Sequence, residues 1–181
     1  MLVAGCQANG GIVERLDSSS GLTVVTERQP VAFARTESRL SRSARDYVYL
    51  GPVEINERGT REYLLWVGIA STIDREYLSA TASQPDRLYL MVDGAPVEFE
   101  LEPWGDRVPL LAELRIYDPA VAPQRVLAGR ITRNQLALLA EADIASLRVA
   151  TDDGPTIEYL FWGQDEHWPA FSSYSDVVQG R

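Results

Sequence analysis

The chain lacks the residues on which many catalytic and metal sites depend. Its 181 residues include no lysine, one cysteine and one histidine, and all 17 basic residues are arginines. Without lysine, Schiff-base and lysine-nucleophile chemistry are excluded within the chain. A single histidine, His167, excludes a multi-histidine metal site, and Cys6 at the N-terminus cannot complete a zinc site with it. We therefore expect no metal and no cofactor.

Recognisable catalytic motifs are also missing. The sequence has no Gly-X-Ser-X-Gly nucleophile elbow and no glycine-rich phosphate loop. Asp165–His167 could bind a metal or act with a serine, but the neighbouring Trp168-Pro169 favours a surface loop. The pair Asp152-Asp153 precedes Gly-Pro and is typical of a turn. The sequence thus favours a protein that is not an enzyme.

Positive charge and long apolar runs are scarce as well. The net charge of -9 disfavours nucleic acid as a partner, because phosphate binding depends on clustered positive charge. The longest uncharged apolar stretch, Tyr63–Ile73, is far shorter than the roughly 18 residues of a membrane-spanning helix. Any membrane attachment is expected through the N-terminus.

The N-terminus carries the most informative motif. Leu2-Val3-Ala4-Gly5 leads directly into Cys6, the only cysteine. This pattern resembles the lipobox of bacterial lipoproteins, in which an aliphatic residue and two small residues precede the modified cysteine. The resemblance implies that Cys6 is the lipid attachment site, and two or three acyl chains would give stable anchoring.

The same resemblance implies a location. Residues 1–5 would be the remnant of a lipoprotein signal peptide, since a complete signal carries an apolar stretch of about 7–15 residues. Residues 6–21 are rich in Gly, Ser and Asn and are predicted to form a flexible tether. In the sorting rule of enteric lipoproteins, an Asp after the cysteine favours retention at the inner membrane. Because Gln7 stands there, we expect anchoring at the periplasmic face of the outer membrane. An accidental lipobox in a cytoplasmic protein is the alternative.

Residues 22–181 are expected to form one globular domain. Period-two alternation of apolar residues predicts a mainly β, antiparallel, sandwich-like fold with one short helix. The predicted strands are 22–27, 31–33, 47–50, 53–56, 62–69, 88–92, 97–101, 114–117, 126–131, 147–151 and 156–162.

Local signals refine this pattern. Glu57-Arg58-Gly59 and Asp93-Gly94 predict hairpin turns, whereas Gly51-Pro52 predicts a break between two strands. Thr132 to Gln135 fits a capping box at the start of a helix that runs to about Asp143.

Two nearly identical pentapeptides, 62–66 and 158–162, suggest corresponding strands of two facing sheets. Tyr63, Leu65, Tyr159 and Phe161 would then share one orientation. Trp66 and Trp162 are predicted to be core residues.

The candidate binding residues are two loop tryptophans and a run of arginines. Trp104 and Trp168 fall in predicted loops, where they could stack on sugar rings, anchor a partner, or simply fill the end of the fold. Four arginines, Arg35, Arg39, Arg42 and Arg45, would share one face of a helix and could clamp an anionic group. Neighbouring serines favour a solvated connection instead.

Three functional hypotheses follow. The first is a lipid-anchored, non-enzymatic binding or scaffolding module that contacts envelope proteins or glycans. The second is a carboxylate-dependent envelope hydrolase, which needs two Asp or Glu side chains converging in a pocket. The third is a cytoplasmic β protein.

Overall fold

Ten antiparallel strands dominate the structure. The computed structural model describes residues 11–36, 44–73, 85–142, 144–150, 156–162, 171 and 174–176. The strands are β1 (Ile12–Leu16), β2 (Thr23–Glu27), β3 (Val31–Thr36), β4 (Arg45–Glu57), β5 (Thr60–Ser71), β6 (Arg87–Val92), β7 (Ala95–Pro103), β8 (Arg125–Arg130), β9 (Ile144–Ala150) and β10 (Ile157–Phe161). Two helices, α1 (Trp104–Arg107) and α2 (Arg133–Glu141), flank β8 in sequence.

The two predicted hairpin turns are confirmed. Arg58-Gly59 joins β4 to β5, and Asp93-Gly94 joins β6 to β7, with positive φ angles at all four residues. Two-residue turns of this kind match the right-handed twist of the flanking strands. The side chain of Asn56 reinforces the first turn by accepting a hydrogen bond from the Gly59 N–H at 2.8 Å.

The sheet closes on itself as a ring of eight strands. Hydrogen-bonded neighbours follow the order β3, β4, β5, β8, β7, β6, β9, β10 and return to β3. Within the ring, β3 pairs with the first half of β4. The second half of β4, residues 53–56, pairs instead with β2, so the β1–β2 hairpin lies outside the ring. The prediction of a mainly β, antiparallel, sandwich-like domain with a short helix is confirmed.

Apolar side chains fill the inside of the ring. Along β4, Val48 and Leu50 belong to this inner cluster, whereas Tyr49 and Val53 belong to a second cluster on the outer face. This alternation is the period of two expected for a strand buried on both sides. The largest inner side chains, Phe33 and Tyr159 among them, are almost completely buried.

The connection between β7 and β8 covers the outer cluster. It contains α1 and a 3₁₀ turn at Pro109–Leu111. The Trp104 indole N–H donates to the Leu111 carbonyl at 3.1 Å, and the Tyr117 hydroxyl donates to the Pro52 carbonyl at 2.6 Å. The predicted strand at 114–117 was therefore wrong: this segment has no strand partner and places Tyr117 against β4 instead.

Helix α2 begins with the predicted capping box. The Thr132 hydroxyl accepts a hydrogen bond from the Gln135 N–H at 3.2 Å, and the Gln135 side chain accepts one from the Thr132 N–H at 2.9 Å. The helix ends at Glu141, two residues before the predicted end. Leu136 and Leu139 pack into the inner cluster, so α2 covers one end of the ring.

The predicted tether at 6–21 was too long. Residues 12–16 form β1, which pairs with β2 over five residues. The Ser-rich stretch that follows is the loop of this hairpin: the Asp17 carbonyl accepts from the Gly21 N–H at 2.8 Å, and the Asp17 carboxylate accepts from Ser19 and Ser20. Short polar residues suit a hairpin loop as well as a linker, which is why composition alone misassigned them.

Gly51-Pro52 was also misassigned, because it lies within β4 and does not end the strand. Pro52 has no N–H to donate, but β3 pairs with β4 up to Leu50 and β2 begins pairing at Val53. The proline thus occupies the junction between two partner strands, where a missing donor costs little.

The repeated pentapeptides share only one face. Tyr63, Leu65, Tyr159 and Phe161 all lie in or against the inner cluster, as predicted. On the other face Trp66 is 3% exposed, whereas Trp162 is 48% exposed, so the prediction of a buried Trp162 was wrong. The outer cluster covers β5 and includes no residue of β10 among those the structure describes.

The close approach of Tyr117 to β4 requires a glycine at position 51. A Cβ there would lie 2.6 Å from the Tyr117 hydroxyl oxygen and closer still to two ring carbons. We predict that Gly51→Ala lowers the free energy of unfolding by about 2 kcal/mol, because overpacking strains a filled core. Urea denaturation checks this. Gly105→Ala is the matched control, since its Cβ would make ordinary contact at 3.5 Å; equal effects would contradict the prediction.

Candidate functional site

The structure removes Trp104 from the candidate binding surface. Its side chain is 3% exposed and packs in the outer cluster. The prediction of an exposed loop tryptophan was wrong because Pro103 leads directly into α1, which turns the indole under the β7–β8 connection. Trp104 therefore has a packing role, on the outer face of the sheet and not at the end of the fold.

The arginine run is not a helical face. Arg35 lies in β3 and Arg45 at the start of β4. In the β3–β4 register Arg35 is opposite Asp46, while Arg45 is opposite Thr36, so the two arginines lie on opposite faces of the sheet. Arg39 and Arg42 lie outside the described residues. The structure thus separates the two members of the predicted cluster that it describes.

Other predicted residues also lie outside the described part of the chain. These are Cys6, Trp168 and the segment 165–167 that includes His167.

Trp162 is an exposed aromatic that sequence reasoning missed. The Arg45 guanidinium lies 4.6 Å from the centroid of the Trp162 ring. The backbone N–H of Trp162 donates to the Ala32 carbonyl at 2.8 Å. Leu160, two residues earlier on the same face, is 63% exposed. Alternation marks the face of a strand, but it does not show which face another segment will cover.

One recess in the described structure is an open, charged groove of about 500 Å³ along β7. Three glutamates from β7 and two arginines, from α1 and the end of β8, line it together with two apolar residues: Glu98, Phe99, Glu100, Leu101, Glu102, Arg107 and Arg130. We refer to this feature as the β7 groove. Its volume is within the range of small-ligand sites in proteins.

Strand alternation explains the composition of the groove. Phe99 and Leu101 belong to the inner cluster and are 3% and 9% exposed. Glu98, Glu100 and Glu102 occupy the intervening positions, so their side chains project from the outer surface of the ring. The sequence Glu-Phe-Glu-Leu-Glu predicts this alternation, but the arginines come from elsewhere in the chain.

Most charges in and around the groove are already paired. Arg107 contacts Glu62 of β5 and lies 3.5 Å from Glu102. Arg87 lies 3.9 Å from Glu98, whose carboxylate also accepts a hydrogen bond from the Tyr89 hydroxyl at 3.4 Å. These contacts hold the two ends of the glutamate row in place.

Arg107 is the most strongly perturbed group in the groove. Its side chain is 15% exposed, although the helix that carries it has only four residues. Burial lowers the pKa of Arg107, and the neighbouring positive charge of Arg130 lowers it further. Two guanidinium groups therefore line one side of the groove, and that of Arg107 is already paired there with Glu62 and Glu102.

The described residues offer no metal site. Within the ranges given above, no group of three or more His, Cys, Asp or Glu side chains is arranged to hold a metal ion. The groove can bind polar or charged groups through its carboxylates and guanidiniums.

A second perturbed group, Glu27, lies apart from the groove. Glu27 ends β2 opposite Ile12 of β1 and is 6% exposed. Its Oε1 has no hydrogen-bond partner in the described structure. Burial raises the pKa of Glu27 to about 7, although the nearby backbone N–H of Arg28 lowers the pKa in part.

Comparisons with known proteins give no identification. No family model, curated protein or solved structure matches this chain. Among the described helices, none has the length and apolar character needed to cross a membrane.

The burial of Glu27 predicts a pH dependence of stability. Because its folded-state pKa of about 7 exceeds the ordinary value of 4.5, the folded protein keeps a proton that the unfolded chain releases. The stabilising contribution is therefore complete below pH 4.5 and is lost as pH rises through 7. We expect a loss of about 1–2 kcal/mol, allowing for solvent screening.

Urea denaturation at pH 5 and pH 8 measures this loss. Glu27→Gln should remove most of the difference between the two pH values. The exposed Glu113→Gln should leave the difference unchanged. A pH difference that persists undiminished in Glu27→Gln would contradict the assignment to Glu27.

Proposed function

We propose that this protein is a lipid-anchored binding module of a bacterial cell envelope, with no catalytic activity, and that the β7 groove is its binding surface. The groove carries the binding part of the proposal, because it combines a recess of about 500 Å³ with charged groups of both signs. Apolar side chains fill the ring itself, so a ligand would bind on its outer surface.

The anchoring part rests on Leu2–Cys6 and their resemblance to a lipobox. The resemblance points to the periplasmic face of the outer membrane, because Gln7 and not Asp follows the cysteine. Acyl chains on Cys6 would insert in the bilayer. A partner would then be another envelope protein or a glycan, and the acidic chain would not bind nucleic acid.

The position of β1 adds a distance limit to this proposal. β1 begins at Ile12, six residues after Cys6. Six residues span at most about 22 Å when fully extended. An anchored Cys6 would therefore keep the β1–β2 hairpin near the membrane surface. The sixteen-residue tether predicted from composition would have allowed a greater distance between the membrane and the first strand.

A carboxylate-dependent hydrolase is the second candidate, and the glutamate row favours it. Successive members of the row, Glu98, Glu100 and Glu102, are about 6.6 Å apart along the strand. This backbone spacing places neighbouring carboxylates within reach of the separation found in inverting glycosidases, about 6.5–9.5 Å. However, Glu98 and Glu102 are held by arginines, which leaves only Glu100 without an ion pair among the described residues. Binding is therefore the favoured function.

The anchor is tested by intact mass and membrane fractionation of the protein expressed from its full native gene. We expect a mass that corresponds to cleavage before Cys6 plus acyl chains, and recovery with outer membranes. Cys6→Ala should abolish both, because the sulfur and the new amine carry the chains. Gln7→Asp is the matched control: it should keep the added mass and move the protein to inner membranes.

An unmodified, soluble product that starts at Met1 in all variants would contradict the anchor. It would favour the third candidate, a cytoplasmic β protein with an accidental lipobox.

The groove is tested by photo-crosslinking in cells. Benzoylphenylalanine at Glu102, which lines the groove, should give a crosslinked product of defined mass. The same residue at Glu57, an exposed position in the β4–β5 hairpin that does not line the groove, should not. Arg130→Glu should abolish the product at position 102, because it reverses a charge within the groove. Equal crosslinking at both positions would contradict the groove as the binding surface.

A further inference from the structure

The outer face of the ring is covered over β4 and β5 but presents exposed side chains at β10. The outer cluster lies beneath the β7–β8 connection. On β10 and directly after it, the outward positions Glu158, Leu160 and Trp162 are all exposed. Arg148 of β9, opposite Glu158 in the β9–β10 register, is exposed as well. We refer to these four residues as the β10 face.

The indole of Trp162 is held on one of its faces. The Arg45 guanidinium lies over the ring, 4.6 Å from its centroid. The Nε of Arg45 is buried and has no hydrogen-bond partner among the described residues, whereas Trp162 is 48% exposed. The indole thus rests against the guanidinium and keeps much of its surface open. Such a cation–π contact restrains the ring, so less side-chain entropy is lost when a ligand binds to it.

Beside the indole, the β10 face presents one apolar side chain and one ion pair. Leu160 is 63% exposed. Glu158 accepts a hydrogen bond through Oε1 from the Arg148 Nε at 3.2 Å, and about half of each side chain is exposed. Within the described residues, the other carboxylate oxygen and the terminal guanidinium nitrogens have no partner. They remain available as one strong acceptor and several donors.

This combination of groups matches the chemistry of a carbohydrate. A pyranose ring has apolar C–H faces and a rim of hydroxyls, so it can stack on an indole while its hydroxyls bond to charged side chains. From Glu158 to Trp162 the strand spans about 13 Å. That length exceeds one sugar ring, so an oligosaccharide is needed to reach both the indole and the ion pair.

Other classes of ligand fit the β10 face less well. Its apolar part consists of Leu160 and Trp162, which is too small for a lipid chain. It is also too small for the core of a stable protein interface, which buries about 800 Å² on each partner. The net charge of -9 disfavours an acidic glycan. Arg148 and Glu158 neutralise each other, which suits an uncharged ligand.

We propose that the β10 face binds a neutral oligosaccharide, with one sugar ring stacked on Trp162 and the hydroxyls of a neighbouring ring against Arg148 and Glu158. This inference goes beyond the proposed function, because the β10 face shares no residue with the β7 groove.

The experiment is a ¹⁵N–¹H NMR titration of the full chain with cellotetraose and with tetra-N-acetylchitotetraose. Both probes are neutral, and their equatorial hydroxyls leave flat ring faces. We expect at least one of them to shift the indole N–H signal of Trp162 and the amide signals of β9 and β10. The absence of any shift with both probes, or shifts confined to β7 and β8, would overturn the proposal.

Variants separate stacking from hydrogen bonding. Trp162→Ala should weaken binding about tenfold, because the stacked ring is lost, and Trp162→Phe should weaken it less. Glu158→Ala should weaken binding about fivefold.

Leu110→Ala and Glu113→Ala are the controls, since both residues are exposed and lie outside the β10 face. They should leave the affinity unchanged. Urea denaturation of each variant checks that it is folded. Undiminished binding by folded Trp162→Ala, or an equal loss in the controls, would overturn the assignment.

A second copy of the chain is the competing occupant of this face. Sedimentation equilibrium that shows a dimer dissociated by Trp162→Ala, without oligosaccharide binding, would overturn the proposal in favour of self-association. Failure of both oligosaccharides with crosslinking at position 102 retained would overturn this inference and leave the β7 groove in place. Oligosaccharide binding without that crosslinking would support the β10 face and contradict the groove.

Discussion

The fold depends on the pairing of β4 with β5. Their register extends from Asp46–Ser71 to Glu57–Thr60. This one hairpin supplies two strands of the ring, pairs with the β1–β2 extension, and carries the outer face that the β7–β8 connection covers. Because successive side chains point to opposite faces, the hairpin contributes Val48 and Leu65 to the inner cluster and Val53 and Leu64 to the outer one. A slip of one residue would exchange these two sets. The register is thus set by burial on both faces.

This double burial determines where binding can occur. The inside of the ring is filled, and the outer face of β4 and β5 is covered by the β7–β8 connection. β7 lies at the margin of that cover, and its glutamates stay on the surface while Phe99 and Leu101 anchor the strand in the inner cluster. The same connection that buries Trp104 delivers Arg107, three residues later, to the groove. The short helix α1 therefore contributes to packing through Trp104 and to the groove through Arg107.

The two parts of the functional proposal are physically independent. The anchor requires only a short stretch before β1, and the groove requires β7, β8 and α1. Glu27 lies opposite Ile12 of β1, on the side of the proposed anchor, and burial raises its pKa to about 7. Membrane attachment could thus be altered without loss of the groove, and the reverse also holds.

Local chemistry in the sequence determined most of the strands, the Arg58-Gly59 and Asp93-Gly94 turns, the capping box at Thr132, and the absence of lysine and multi-histidine sites. These features depend on neighbouring residues and on composition, so no contact between distant segments was needed. The tertiary structure decided the exposure of Trp162, the burial of Trp104, the separation of Arg35 from Arg45, and the meeting of Arg107 and Arg130 with the glutamates of β7. Each of these depends on which distant segment covers which face of the sheet, and strand alternation alone does not contain that information.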